Sequence, residues 1–285
     1  MNAIHVVTLA SAGRREHVLR QLEAMHRWMP GAAHHTVLIG AEPFAVPGSQ
    51  VIDRTGPGPV NLARARNVAG DAAVAAGAEL VVFLDADCMP GEDLCSGYAR
   101  AAEQMPEAVL AGPVTYLAAD DRPYDLDRLA EWTRPHGARP NPPEDELQRA
   151  TDEEYELFWS LSFAVTAGTW RALRQRFGGF CEDYVDYGGE DTDFGMNLRA
   201  CDVPLVWVGG AHAYHQWHPV STPPIEHLDA ILINAHTFYR RWAFWPMHGW
   251  LRTFEDMGLA HFDGVEWVKG PRPRDYRRQD PSKES

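Results

Sequence analysis

The sequence predicts an α/β fold in which a mainly parallel sheet is flanked by helices. Segments typical of strands and of helices alternate from Ile4 to Leu84, which is the order of parallel βαβ units. The length of 285 residues and the hydrophobic content of 45% suit one large domain or two smaller ones. We expect a single domain. Ligands of such sheets bind beyond the carboxyl ends of the strands, so residues at those ends are candidates for a site.

Apolar runs bounded by turn residues predict the strands. In chain order these are Ile4–Leu9, Thr36–Ile39, Gln50–Asp53, Leu80–Leu84, Val109–Leu117 with a break at Gly112-Pro113, and Leu205–Val208. Helices are predicted where apolar residues recur at helical spacing. They are Val18–Met29 before Pro30-Gly31, a helix between the cap residue Asn61 and Gly77, and Pro224–Trp250.

The remaining segments define the expected domain organisation. Residues 120–154 are rich in proline, arginine and acids, which favours a surface excursion. We expect residues 1–270 to form the domain, in two halves at 1–117 and 118–270. Residues 271–285 show no apolar pattern and are expected to be a flexible tail.

Composition and charge exclude several classes of protein. The net charge of -14 argues against broad nucleic-acid binding, because phosphate backbones attract basic surfaces. None of the four cysteines forms a CxxC pair, which favours reduced thiols. The N-terminus lacks the pattern of a signal peptide, and no apolar run approaches the ~20 residues that span a bilayer. We therefore expect a cytoplasmic protein without an integral membrane segment.

The first acidic cluster, Asp85-Ala86-Asp87, directly follows the apolar run Leu80–Leu84. In an extended segment, side chains two positions apart point the same way. Two adjacent carboxylates are costly unless a cation lies between them, and a hard divalent ion would satisfy both and also bind a diphosphate. The alternative is a solvated acidic turn.

The second acidic cluster is Gly188-Gly189-Glu190-Asp191-Thr192-Asp193. Glycines allow the backbone to approach a ligand closely, and one of the three acids is a candidate general base. The alternative is that these acids only complement the N-terminus of a helix.

Histidines and basic residues complete the candidate site. His212, His215 and His218 follow a predicted strand, and we expect at least one of them to bind a metal ion rather than only to form hydrogen bonds. Arg64 and Arg66, in the helix before the first acidic cluster, suit phosphate or carboxylate. Surface charge paired with Asp71 is the competing interpretation.

With these residues the sequence resembles a glycosyltransferase of the GT-A fold, close to the inverting family 2, and its C-terminal half is similar to the galactosyltransferase type. The resemblance is carried by Val6–Arg15, Asn61–Pro90, Phe163–Arg199 and Leu205–His218. It implies that Asp85 and Asp87 form the D-x-D motif, whose second Asp holds the metal ion on the diphosphate. It also implies that donor or nucleotide contacts come from Thr8, Arg14, Arg64, Arg66 and Asn67. On this resemblance, 1–117 is the nucleotide-sugar half and 118–270 is the acceptor half.

Two further motifs extend the resemblance. Tyr187-Gly188-Gly189-Glu190-Asp191 resembles W-G-G-E-D, with Tyr for Trp, and this implies that Tyr187, Gly189 and Glu190 meet the acceptor while Asp191 is the base. His212-x-x-His215 stands where galactosyltransferases place a metal-binding M-x-x-H, so His215 and His212 are implied metal ligands with Asp87. Gly178–Glu182 resembles G-G-F-D-E, with Cys181 where Asp is usual.

The resemblance implies an inverting, metal-dependent transfer of a hexose from a UDP-linked sugar to a hydroxyl of a carbohydrate or small molecule, with Glu190 and Asp191 as catalytic residues and Mn²⁺ or Mg²⁺ as the ion. Two alternatives stay open. One is a metal-dependent sugar-phosphate nucleotidyltransferase, since similar sheets bind nucleoside triphosphates. The other is a non-catalytic binder of metal or nucleotide sugar, with the three histidines as a structural zinc site.

Overall fold

The computed structural model describes residues 3–270, and these form two compact units. Unit 1 contains residues 3–186 and 190–219, and unit 2 contains residues 187–189 and 220–270. These two units meet along the chain at Pro219-Val220. The expected halves at 1–117 and 118–270 stay a prediction. The expected flexible tail, 271–285, lies outside the described residues. Within the described residues, no helix has the length and hydropathy needed to cross a membrane.

Unit 1 contains the sheet and helices that the sequence pattern predicts. Its strands are β1 (Ile4–Ala10), β2 (Ala33–Leu38), β3 (Gln50–Asp53), β4 (Leu80–Leu84), β5 (Cys88–Pro90), β6 (Val109–Ala111), β7 (Val114–Tyr116), β8 (Leu147–Arg149), β9 (Ser162–Thr166), β10 (Leu205–Val208) and β11 (Ala213–His215). Its α-helices are α1 (Arg15–Trp28), α2 (Leu62–Ala75), α3 (Leu94–Gln104), α4 (Ala167–Phe177) and α5 (Glu190–Ala200).

The main sheet of unit 1 is mixed but mainly parallel. Within the described residues its eight strands lie in the order β3-β2-β1-β4-β9-β6-β10-β8. Strand β9 is antiparallel to both β4 and β6, and β8 is antiparallel to β10, whereas the other neighbouring pairs are parallel. The predicted fold class is confirmed. The expected excursion at 120–154 contains short 3-10 helices and contributes β8 to the sheet edge.

Strand β4, in the middle of the main sheet, is buried on both faces. Consecutive β4 residues point to opposite faces, so Val82 packs with Val18 and Met25 of α1, while Val81 packs in a cluster with Trp170 of α4 and Phe194 of α5. Burial on both faces explains why β4 is a continuous apolar run rather than an alternating one.

A second, smaller sheet extends from the end of β4. Strand β11 lies between β5 and β7, antiparallel to β5 and parallel to β7. The break expected at Gly112-Pro113 is present, because β6 belongs to the main sheet and β7 to this small one. The register pairs His215 with Cys88, which is the residue after Asp87.

Unit 2 is built from two helices and a hairpin. Helices α6 (Leu228–Trp242) and α7 (His248–Asp256) and strands β12 (Ala260–Phe262) and β13 (Trp267–Lys269) share a core. The prediction of one helix over Pro224–Trp250 is wrong. Helix α6 ends at Trp242, before the cap residue Ala243, whose φ of 61° is left-handed. Pro246 cannot continue a helix because it lacks an N–H donor.

Candidate active site

Side chains of α1 and β1 hold the loop that carries Asp85 and Asp87 through hydrogen bonds to its backbone and to the end of β4. Gln21 donates from Nε2 to the carbonyls of Asp85 and Cys88, at 2.8 Å each. The buried Thr8 hydroxyl lies 2.9 Å from Gln21 Oε1 and 3.0 Å from the Leu84 carbonyl. The structure therefore places Thr8, an expected donor contact, under the loop as a support.

Asp87 is the centre of a group that could hold a metal ion. Its carboxylate oxygens lie 3.5 Å from His215 Nε2 and 3.3 Å from His218 Nε2. One ligand atom from each of the three side chains lies within 4.8 Å of the others. The backbone N–H of Gln216 donates to the Asp87 carbonyl at 2.6 Å, which holds the end of β11 against the acidic loop.

Arg14 contacts two members of this possible metal-binding group, Asp87 and His218. Its Nε is 3.3 Å from Asp87 Oδ2, and its terminal nitrogen donates to His218 Nδ1 at 3.2 Å. Burial alone would raise the pKa of Asp87, but the hydrogen bond from His218 and the charges of His215 and Arg14 outweigh it and lower that pKa to about 2. Asp87 is therefore ionised, and Arg14 is placed to meet an anion at this position.

His212 lies apart from this group, which differs from the sequence expectation. Its Nε2 is hydrogen-bonded to Thr115 Oγ1 at 2.7 Å, and burial lowers its pKa to about 4. The chain is extended here rather than helical, so side chains three positions apart point to opposite sides. His215 therefore faces Asp87 while His212 faces Thr115, and His218 is the second histidine of the group.

Arg66 joins the two acidic clusters. Its guanidinium lies 3.6 Å from Asp85 Oδ1 and donates to Glu190 Oε1 at 2.8 Å. The side chain is 6% exposed, so the interpretation of a surface charge is wrong for Arg66. Asp71 pairs with Arg174 instead, at 3.1 Å. Burial and the charges of Asp87 and Glu190 raise the pKa of Asp85 to about 6 despite Arg66.

Asp191 lies in the first turn of α5, next to this buried pair. Burial and the neighbouring charge of Glu190 raise its pKa to about 7, while Arg66 and the backbone N–H of Thr192 oppose the rise. That N–H donates to Asp191 Oδ1 at 2.7 Å. A carboxyl group with a pKa near neutrality can accept a proton from a substrate and release it to water, which is the property of a general base.

Asn67 and Arg64, the other expected donor contacts on α2, bind the turn at Gly178–Glu182. Asn67 accepts from the Phe180 N–H and donates to the Phe180 carbonyl, both at 2.9 Å. Arg64 pairs with Glu182 at 2.9 Å. Gly179, with a φ of 78°, is required here because a Cβ would lie 2.5 Å from Asn67 Oδ1. Asn67 and Arg64 thus tie this turn to α2.

The expected acceptor residues Tyr187 and Gly189 belong to unit 2. The Tyr187 ring stacks on His227 with 4.6 Å between centroids, and lies 5.9 Å from the Trp250 ring. Asn234 donates to the carbonyls of Tyr187 and Gly188, at 3.1 and 2.8 Å. Gly188 and Gly189 have φ values of 96° and 88°, which side chains with a Cβ rarely adopt.

Comparisons with known proteins identify the fold. No protein-family model matches the chain, and no curated protein matches it. Among solved structures, residues 1–349 of S. aureus TarS match with a TM-score of 0.51 and 13% identity, over 83% of this chain and 65% of that one. The same fragment in complex with UDP-GlcNAc matches with a TM-score of 0.52 and 13% identity, over 90% of this chain and 78% of that one.

GalNAc-T7, solved with UDP, GalNAc and Mn²⁺, matches with a TM-score of 0.55 and 12% identity, over 90% of this chain. This chain spans only 54% of that structure. At these identities the similarity establishes the fold alone, which is of the GT-A type.

Proposed function

We propose that this chain is an inverting, metal-dependent glycosyltransferase that moves a hexose from a UDP-linked sugar to a hydroxyl of a carbohydrate or small molecule. One observation carries the proposal. A group that can hold a divalent ion, centred on Asp87, and a carboxyl group with a pKa of about 7, that of Asp191, both lie at the carboxyl end of β4, joined through Asp85, Arg66 and Glu190. The nucleotides and ion in the two similar structures support the choice of donor.

The donor atoms of Asp87, His215 and His218 fit a metal ion. One carboxylate and two imidazoles favour a transition-metal ion such as Mn²⁺ over Mg²⁺, which prefers oxygen ligands. When bound there, the ion would neutralise the diphosphate leaving group and polarise its bond to the sugar. Arg14, on the same carboxylate, adds a positive charge on the side where the diphosphate would lie.

Asp191 takes the proton from the acceptor hydroxyl as that oxygen attacks the anomeric carbon from the face opposite the diphosphate. A single displacement of this kind inverts the anomeric centre. Glu190 assists in two ways. Its charge raises the pKa of Asp191, and its carboxylate holds Arg66 in place between the two acidic clusters. Tyr187 and Gly189 stay predicted acceptor contacts.

Incubation with UDP-sugars and Mn²⁺ tests this function against its competitors. We expect release of UDP, and a sugar product whose anomeric configuration, read by proton NMR, is opposite to that of the donor. Turnover only with a nucleoside triphosphate plus a sugar phosphate would instead identify a nucleotidyltransferase. Tight metal binding with no turnover of any donor would identify a binding protein.

A further inference from the structure

Arg139 is a buried guanidinium without a polar partner. The residue is 6% exposed, and its Nε and both terminal nitrogens have no hydrogen-bond partner among the residues that the structure describes. Its contacts are with two indole rings. The guanidinium carbon lies 5.0 Å from the ring centre of Trp207 and 5.6 Å from that of Trp159.

A buried arginine with a purely structural role would have hydrogen-bond acceptors around its guanidinium, and Arg139 has none among the described residues. A buried charge is costly unless it is paired and hydrogen-bonded, and cation–π contacts leave all five N–H donors unused. Asp191 is close enough to influence Arg139 electrostatically, but no hydrogen bond joins them. A planar guanidinium with free donors matches a carboxylate or a phosphate, which accept two parallel hydrogen bonds.

A row of aromatic side chains in contact with one another leads from Arg139 to the metal-binding group. Trp159 lies edge-on to His136 at 5.2 Å, His136 lies 5.5 Å from Tyr116, and Tyr116 stacks on His215 at 4.5 Å. His136 and Tyr116 are exposed and Trp159 is half-buried, so these rings extend from the guanidinium to the protein surface. An anion bound at Arg139 would therefore lie between the metal-binding group and Asp191, where the sugars react.

We propose that Arg139 binds a carboxylate or phosphate carried by one of the reacting sugars, so that the enzyme selects an acidic sugar. This inference rests on the proposed function and adds the class of substrate. The acidic group can come from the donor sugar or from the acceptor, because both meet at Asp191.

Calorimetry in the presence of Mn²⁺ tests the donor. UDP, UDP-glucose and UDP-glucuronate are titrated into the wild type, Arg139→Met and Arg134→Met. Arg134 is an exposed arginine of the same segment and serves as the matched control. If the donor carries the acid, the wild type prefers UDP-glucuronate to UDP-glucose. Arg139→Met then removes a preference of about 10–100-fold, the contribution of charge-assisted hydrogen bonds, and leaves UDP affinity unchanged.

The acceptor is tested on protein saturated with UDP and Mn²⁺. Glucose, glucuronate and glucose 6-phosphate are compared by ligand-observed NMR with the same three proteins. If the acceptor carries the acid, the charged sugars bind the wild type and Arg134→Met more tightly than glucose does, and Arg139→Met loses the difference.

Thermal unfolding separates binding from a structural role. Met fills a similar volume without a buried charge, so Arg139→Met should melt at the same or a higher temperature. A lower melting temperature would overturn the inference. So would a wild type that prefers no charged sugar in either experiment, or an equal loss of affinity for UDP. UDP binding with Mn²⁺ does not depend on Arg139, so its absence would count against the proposed function and not against Arg139.

Discussion

Replacing Arg66 by Met should destabilise unit 1 strongly. Arg66 donates to Glu190 at 2.8 Å and lies 3.6 Å from Asp85, and the Arg66 and Glu190 side chains are 6% and 8% exposed. Without the guanidinium, a buried carboxylate loses its partner, a change that costs about 3–5 kcal/mol. At roughly 2 °C per kcal/mol for a unit of this size, the melting temperature should fall by about 6 °C or more.

Scanning calorimetry of the wild type and four variants, Arg66→Met, Arg64→Met, Glu190→Gln and the Arg66→Met/Glu190→Gln double variant, measures this effect. Arg64→Met, on the same helix, removes an exposed pair with Glu182 and should cost less than about 1 kcal/mol. Adding Glu190→Gln to Arg66→Met should recover part of the loss, because the unpaired carboxylate is then gone. If Arg66→Met melts like Arg64→Met, or if the double variant is less stable than the sum of the single changes predicts, the reasoning about this buried pair is refuted.

Three further predictions concern the base and a buried histidine. Asp191→Asn should lower turnover of a UDP-sugar by about 10²–10⁴-fold at unchanged UDP affinity, and a collapse of UDP affinity would move Asp191 to the donor site. Turnover of the wild type should rise with pH to a plateau above about 7 as Asp191 ionises, and Glu190→Gln should move that midpoint to lower pH; an unmoved midpoint would contradict the assignment. Burial lowers the pKa of His34 from 6.5 to about 3, so the unfolded chain binds more protons between these values. The contribution of His34 to the free energy of unfolding is complete above pH 6.5. Below pH 6.5 it should fall by up to about 1.4 kcal/mol per pH unit. Urea titrations at several pH values should show a flatter dependence for His34→Gln, and equal slopes would contradict the prediction.

Local sequence patterns predicted much of the fold. Strand β4 can be recognised in the sequence as an apolar run because both of its faces are buried. The start of α2 can be recognised because Asn61 caps it, accepting from the Arg64 N–H at 2.7 Å. The position of Asp85 and Asp87 follows from the end of that strand. In unit 2 the pattern failed, because apolar residues on both sides of Pro246 resembled one helix.

The candidate site was only partly predictable, because its decisive contacts join distant residues. Arg66 and Glu190 are 124 positions apart, and nothing local distinguishes Arg66 from the exposed Arg64. The spacing of the histidines suits one face of a helix, but an extended chain turns His212 away and leaves His218 beside Asp87. No local sequence pattern pointed to Arg139, because the indole rings beside it, those of Trp159 and Trp207, come from other segments of the chain.

Calorimetric titration of UDP with and without Mn²⁺ tests the central claim most directly, using His218→Ala and His212→Ala as a matched pair. If Asp87, His215 and His218 hold the ion, His218→Ala should weaken Mn²⁺-dependent UDP binding by at least about tenfold. His212→Ala should leave it near the wild-type value. Loss of binding in His212→Ala with normal binding in His218→Ala would contradict the assignment of the metal site.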